Sequence, residues 1–386
     1  MPSPAESAGP ILIAGGGIGG LAVSLALRLR GIPSVVCERA PDLREVGAGL
    51  LLSPNAVRVL QLLGVADEAR AHSRLIDEWR ILDTRGRLLH RLRPSGNQGL
   101  SALSLHRADL QKLLQSRLDP SRLHLGFEVA AFAETEDHVQ ITACSGARLE
   151  GSALIGADGL RSSVRRVRHG SDQLHDRGYS GWRSVVPFIP KGYEGGALSE
   201  SWGEGKRFGI SPLGDGRCYW YATANHPAGQ GVPAAGRKQE LLRLFDDWHS
   251  PIPELIAATE NDSILLNPIL DRPAHMRLPG TSRVTLLGDA AHPMTPNLGQ
   301  GACAALEDAW VLARKIGASP SLIEGLRRYE ALRHSRATWI SRASHALGAV
   351  IQLEHPLATA SRDLALRLTP GFLSDLTMRP LFSFRD

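Results

Sequence analysis

Residues 11–38, ILIAGGGIGGLAVSLALRLRGIPSVVCE, decide the fold of the first part of the chain. Four apolar residues, Ile11-Leu12-Ile13-Ala14, run into Gly15-Gly16-Gly17-Ile18-Gly19-Gly20, which satisfies G-x-G-x-x-G. In such a turn Gly15 allows the tight reversal, Gly17 lets backbone approach a pyrophosphate, and Gly20 permits close helix–strand packing. A helix-compatible run from Leu21 to Arg30 stops at Gly31, with Pro33 just beyond as a breaker. A second strand, 34–37, ends at Glu38, 18 positions after Gly20, close to where an acidic ribose ligand is expected. Strand, glycines, helix and acid in this order make a dinucleotide site. Glu38 also argues against a 2′-phosphate there, because like charges would meet. The expected adenosine is that of FAD or NAD.

A second stretch, VTLLGDAAHPMTPNLGQGACAALED at 284–308, lies far downstream. Its β-rich run ends in Gly288-Asp289, a Pro-bearing loop follows, and Gly299-Gln300-Gly301 opens a helix of small residues. A carboxylate at a strand end can accept hydrogen bonds from sugar hydroxyls. A Gly-rich helix start offers unpaired N–H groups to electron-rich oxygen. An isoalloxazine ring with its ribityl chain needs both, so the two stretches together predict a flavin enzyme.

The 386 residues suffice for two to three domain-sized units. Of the 44 basic residues only five are Lys; the Arg residues are scattered, and with 39 acids the net charge is +5. A nucleic-acid site would want a basic stripe with interleaved aromatics, and none appears, so no nucleic-acid partner is expected. Cys37, Cys144, Cys218 and Cys303 form no C-x-x-C pair, which suits a reducing cytoplasm and predicts no metal. The N-terminus, MPSPAESAGP, lacks the basic and apolar regions of a signal peptide, and no run approaches 18 apolar residues. A cytoplasmic enzyme is expected.

The organisation reads as interleaved. Residues 1–177 form the first part of a dinucleotide-binding domain, with β-α-β at 11–38, a helix at 54–64, a hairpin at 78–87 and a helix within 105–118. Residues 178–275, with Trp182, Trp202, Phe208, Tyr219, Trp220 and Tyr221 among short alternating runs, predict an antiparallel sheet. The dinucleotide domain resumes over 276–330, and 331–386 is helical. The predicted class is α/β: a Rossmann-like FAD-binding domain interleaved with an antiparallel-sheet substrate domain, followed by a C-terminal helical segment.

A third motif, Ile155-Gly156-Ala157-Asp158-Gly159-Leu160-Arg161-Ser162-Ser163-Val164-Arg165-Arg166, lies between the other two. The order G-x-G-x-x-G with a trailing acid, then G-A-D-G-x-R-S-x-V-R, then G-D-A-A-H-x-x-x-P-x-x-G-Q-G, resembles the group A FAD-dependent aromatic hydroxylases. That family includes para-hydroxybenzoate, salicylate and urate hydroxylases and zeaxanthin epoxidase, and the resemblance spans nearly the whole chain. Four stretches (181–187, 202–207, 219–223 and 294–301) look closest to its 2-heptyl-3-hydroxyquinolone synthases.

The resemblance implies FAD as cofactor and NADH or NADPH as co-substrate. It also implies insertion of one oxygen atom of O2, through a flavin C4a-hydroperoxide, into an electron-rich aromatic or heteroaromatic small molecule. It assigns Gly15, Gly17, Ile18 and Gly20 to the pyrophosphate, and Glu38 and Arg39 to the adenosine. Arg107 falls to the phosphate–ribityl region, Val129 to the adenine and Asp289 to the ribityl hydroxyls. Gly47-Ala48-Gly49 would lie along the flavin. Gly299, Gln300, Gly301 and Ala302 would aim a helix N-terminus at the pyrimidine edge, where a positive dipole end stabilises the reduced ring. Asp158 would sit between FAD and a transient NAD(P)H site. Pro296 would shape the loop over the reactive face, and Arg207 and Tyr219 match the polar pair that contacts the heterocycle in urate hydroxylase. His292 is expected to be structural. Asn297 departs from urate hydroxylase, which carries an acid there. An apolar lining by Trp220, Tyr221 and Phe208 is expected to suit a flatter, greasier ring, such as an alkyl- or prenyl-quinolone oxidised at C2–C3.

Two readings from other classes stand beside this one. A flavin-dependent halogenase shares the fold, but W-x-W-x-I-P is missing and Gly181-Trp182-Arg183 is its nearest approach. A non-catalytic, FAD-holding interaction module would not need the complete loop from Pro296 to Gly301. At the C-terminus, Leu357, Leu364, Leu366 and Leu368 lie among Ser361, Arg362, Asp363 and Arg367. This predicts a helix packed on the body, with weak docking on a membrane surface as the alternative.

Overall fold

The computed structural model describes residues 9–43, 48–93, 99–170, 173–274 and 281–384. Gly47 and the expected boundary at 275/276 lie outside the described residues. Five strands form a parallel sheet in the order Val284–Leu286, Ala153–Gly156, Ile11–Ala14, Ser34–Glu38, Leu123–Leu125. The register pairs Ile13 with Ile155 and Ile155 with Thr285. All three sequence motifs therefore leave the same edge of adjacent strands, although they lie far apart in the chain. In an open parallel sheet that carboxyl-end edge is where a ligand binds.

The glycine turn is confirmed by its crowding. Gly15 sits at φ +106°, and a Cβ on it would come 2.4 Å from the Ala157 carbonyl oxygen. A Cβ on Gly20 would come 1.9 Å from the Gly15 carbonyl oxygen. The helix Ile18–Arg28 then packs against the helix Gly301–Gly317, so the two cofactor motifs brace each other.

The second layer is a seven-stranded sheet, in the order Leu265–Asp271, His175–Val186, Cys218–Asn225, Lys206–Pro212, Ala197–Trp202, Glu78–Asp83, Leu88–Leu92. It is antiparallel except where Ala197–Trp202 runs parallel to Glu78–Asp83, and it recruits the 78–92 hairpin from the first part of the chain. Alternation divides its faces. Trp182, Phe208 and Trp220 pack with Phe245 and Trp248 under the helices Arg237–Phe245 and Ile252–Ala258. Those two helices lie inside a region whose sequence reads only as strand. Their apolar faces are short, and their packing partners are on the sheet, remote in sequence.

The helix Leu322–Ile351 crosses behind the site, and two further helices, Pro356–Leu368 and Gly371–Phe382, close the chain. They lie on the outer strand Leu88–Leu92, with Ser374 bonded to His90 at 2.7 Å. Their outer side exposes Leu357 (73%), Leu364, Leu368 (72%), Phe372 (73%) and Leu376. Among the described residues no helix is long and apolar enough to cross a membrane.

Candidate active site

Two cavities, of about 400 Å³ and about 290 Å³, lie at the carboxyl edge of the parallel sheet and between the two layers. The first gathers Gly15, Gly17, Glu38, Arg39, Arg107, Val129 and Asp158. The second gathers Gly49, Arg207, Tyr219, Asp289, Pro296, Gly299, Gly301 and Ala302. Arg107 links them: it lines the first, and its charge interacts with both Glu38 and Asp289. Of the expected site residues, Ile18 and Gly20 are buried behind the first cavity. Gln300 is fully buried, donates to Ser53 Oγ at 3.0 Å and accepts from Asn55 at 3.0 Å. Its side chain faces away from the cavity, leaving its backbone as the part that can serve a ligand.

The donors and acceptors suit a dinucleotide with a fused ring. Both motif helices start without a side-chain cap, at Gly17 and at Gln300, so their first-turn N–H groups remain to be satisfied. Gly299, at φ +63°, has no atom within 4 Å of where a Cβ would lie. Glu38 holds the turn, accepting from Gly16 N–H at 2.6 Å and Ala40 N–H at 3.0 Å. Asp289 opens onto the second cavity from a protein-lined recess. Desolvation pushes its carboxyl up, while the charges of His292 and Arg107 partly offset this.

Asp158 has a task that its motif does not announce. Its Oδ2 accepts from Ser163 N–H at 2.7 Å and Val164 N–H at 3.2 Å, fastening the helix Ser163–His169. Its Oδ1 is buried without a hydrogen-bond partner, an acceptor available at the cavity wall. Arg165, also unassigned from sequence, is 2% exposed and donates to the Ala290 and Ala291 carbonyls at 3.1 and 3.0 Å. The third motif thus clamps the loop that carries Asp289. The paired Arg165-Arg166 was the available signal.

His292 is tied through Nε2 into a buried charge cluster behind the site, while its Nδ1 is buried without a hydrogen-bond partner. It is buried 2.5 Å from Asp308, and Arg333 bridges Asp308 and Glu307 at 2.6 Å each. Arg336 adds a second ion pair to Glu307 at 2.6 Å. Burial alone would lower the His292 pKa, but the Asp308 carboxylate outweighs it and holds the imidazole up. Burial alone would raise Asp308; the His292 and Arg333 charges instead keep it well below the usual carboxylate range.

The expected aromatic lining needs one correction. Trp220 and Phe208 do not face the second cavity, because they fall on the alternate side of their strands and stack on each other at 5.4 Å. Tyr221 does line it, as expected, beside Tyr219, with ring centroids 5.7 Å apart. Gly49 makes room for Tyr219: a Cβ there would lie 2.3 Å from the Tyr219 ring. Across three strands, Glu200 pairs with Gly209 and Gly209 with Tyr221. The missing Gly209 side chain lets the Tyr221 hydroxyl reach over to Glu200. Glu200 is a site residue that the sequence did not reveal, since only strand register puts it on the same face as Arg207, diagonally across the neighbouring strand.

The chain belongs to the FAD binding domain family, whose model matches residues 9–344. It is 40% identical over 378 residues to the aurachin C monooxygenase/isomerase of Stigmatella aurantiaca, covering 97% of this chain and 98% of that protein. It is 32% identical over 368 residues to the 2-heptyl-3-hydroxy-4(1H)-quinolone synthase of Pseudomonas aeruginosa, covering 94% of each. Among solved structures, Klebsiella pneumoniae HpxO complexed with FAD and uric acid superposes with a TM-score of 0.87 at 28% identity, covering 97% of this chain and 96% of that one. The protein is an FAD-dependent monooxygenase of aromatic small molecules, with NAD(P)H as co-substrate.

Proposed function

Starting from that membership, we propose that the enzyme transfers one oxygen atom of O2 to C2–C3 of an uncharged quinolone that carries an alkyl or prenyl chain. The observation that carries this reading is the second cavity: two tyrosines beside a polar end in which Arg207 is already matched by Glu200. The relative at 40% identity, named for aurachin C, supports it. C3 of a 4-quinolone is enamine-like and nucleophilic. A hydrogen at C3 leads to hydroxylation; a chain at C3 leads to a C2–C3 epoxide.

In this reading Gly15, Gly17 and the start of the Ile18–Arg28 helix hold the FAD pyrophosphate, Glu38, Arg39 and Val129 the adenosine, and Arg107 the phosphate–ribityl region. Asp289 takes ribityl hydroxyls, and the N–H groups at Gly299, Gly301 and Ala302 meet the ring edge. When bound, FAD supplies the redox chemistry, taking electrons from NADH or NADPH and activating O2. The protein orients the substrate ring with Tyr219 and Tyr221, closes it under Pro296 and excludes water. The partition at 1–177, 178–275, 276–330 and 331–386 belongs to the same proposal. So does weak seating of the apolar outer side of the last two helices on a membrane surface, from which a lipophilic substrate would be drawn. Co-sedimentation with anionic phospholipid vesicles, and its loss in Leu368→Ser/Phe372→Ser, tests that seating.

The decisive experiment for the reaction is NAD(P)H oxidation across 2-alkyl-4-quinolones, C3-prenylated quinolones and simple phenols, with products identified by mass. Oxygenated quinolone product is expected. Turnover of phenols alone, with quinolones inert, would overturn the substrate class.

A further inference from the structure

The polar end of the second cavity holds a buried charge pair, in which Arg207 Nε has no hydrogen-bond partner. Arg207 is 1% exposed and Glu200 2% exposed, and both line the cavity. The guanidinium donates from Nη1 to Glu200 Oε1 at 3.4 Å and from Nη2 to Asn297 Oδ1 at 3.1 Å. Its face lies 5.3 Å from the Tyr221 ring centroid. Glu200 is held from both sides: Trp202 Nε1–H donates to Oε2 at 2.9 Å, and the Tyr221 hydroxyl donates to Oε1. Burial and the neighbouring Glu200 charge push Tyr221 well up, so it stays a donor and adds no negative charge. Asn297 is fixed in turn, donating to the Tyr179 hydroxyl and the Ser344 carbonyl at 3.0 Å each.

A buried guanidinium facing a binding cavity would ordinarily seek an anionic ligand, because an unpaired buried charge is costly. Here a protein carboxylate, held by tryptophan and tyrosine donors, already fills that role. The other cation lining the cavity, Arg183, is exposed and donates to Asn267 at 3.1 Å.

We infer that Glu200 is a specificity-determining residue: by cancelling the charge of Arg207 inside the cavity, it selects uncharged heteroaromatic substrates over anionic ones. This rests on the quinolone reading for the identity of the substrate but not for its charge. Removing the Glu200 charge while keeping its shape leaves Arg207 in need of an anion, and a ligand carboxylate or enolate can supply it.

The test uses the FAD-loaded enzyme and follows ligand binding by the change in flavin absorbance, with no turnover required. Two matched pairs serve as probes: 2-methyl-4-quinolone against 4-quinolone-2-carboxylate, and 1-naphthol against 1-naphthoate. Wild type should bind the neutral member of each pair at least tenfold more tightly. Glu200→Gln should shift that ratio at least tenfold toward the anion, and Glu200→Gln/Arg207→Gln should return it toward wild type. A Glu200→Gln ratio within twofold of wild type would overturn the inference. If the single variant does not hold FAD, the wild-type ratio and the charge-balanced double variant decide, and wild-type preference for either carboxylate overturns it. Failure of quinolones to bind while the naphthalene pair obeys the charge rule would remove the substrate class and leave the role of Glu200 standing.

Discussion

The two ends of the cleft are built by opposite means. The proposed dinucleotide end offers mostly backbone: glycines at a strand end, helix starts without side-chain caps, and one acid that stiffens the turn. At the proposed substrate end the cavity is lined by side chains of separate strands, Glu200, Arg207, Tyr219 and Tyr221, and the charges of the first two cancel. A backbone site depends on consecutive residues and tolerates little change in them. A side-chain site depends on register, and its selectivity can be altered one residue at a time.

The largest expected effect falls on what both ends share, the ion-pair latch between the helices Gly301–Gly317 and Leu322–Ile351. Arg333→Met removes the one side chain that bridges Glu307 and Asp308, leaving each buried acid with a single cation, Arg336 and His292 respectively, a loss of about 3 kcal/mol. The expected result is a large fall in denaturation midpoint and loss of both flavin and substrate binding. Asp308 and Glu307 are held below their ordinary values in the fold. Their contribution is therefore present above the ordinary carboxylate range and is lost as pH falls through the depressed values. Acid unfolding of wild type should begin below that range, and Arg333→Met should unfold at higher pH. Coincident acid transitions would refute the latch.

Next in size is a pair of changes that should separate the ends. Asp289→Ala removes a carboxylate assigned to ribityl hydroxyls, worth about 1.5–3 kcal/mol or roughly ten- to a hundredfold in FAD affinity. Gly49→Ala instead pushes a methyl group into the Tyr219 ring, an overpacking cost of about 1–3 kcal/mol. Because Gly49 also falls on the stretch expected along the flavin, the substitution should raise the substrate KM more than it lowers FAD content. Flavin content per protein and KM, measured on both variants, distinguish the two. Equal FAD content in Asp289→Ala and wild type would break the division.

What the sequence made legible follows the same division. Gly15, Gly17, Gly20 and Glu38 are readable because their spacing is local and their backbone task admits few substitutes. Asp289 and the Gly299–Gly301 helix start are readable for the same reason, and the parallel register explains why motifs so far apart meet. Glu200 was invisible, since nothing in 197–202 announces that it meets Arg207 diagonally on the neighbouring strand. The misplacement of Trp220 and Phe208 has a related cause. Aromatic content marked the strands correctly, but a two-residue period assigns faces only once one residue is anchored, and Tyr219 was the anchor.

The smallest effect should come from Asp158→Ala, and it tests whether a motif residue serves the cofactor or the scaffold. Asp158 accepts two backbone N–H groups at the start of the helix Ser163–His169, and this capping is worth about 0.5–2 kcal/mol. From that helix, Arg165 holds the Ala290 and Ala291 carbonyls and so steadies Asp289 from a distance. If capping is its main task, Asp158→Ala loosens FAD only a few-fold, less than Asp289→Ala, and Asp158→Asn restores stability by keeping an acceptor. If its unpartnered Oδ1 serves the nicotinamide co-substrate, Asp158→Asn leaves stability near wild type while anaerobic flavin reduction by NAD(P)H slows. Stopped-flow reduction of both variants, set beside their melting temperatures, separates the two tasks. Unchanged reduction with unchanged stability in Asp158→Ala would leave Asp158 with neither task.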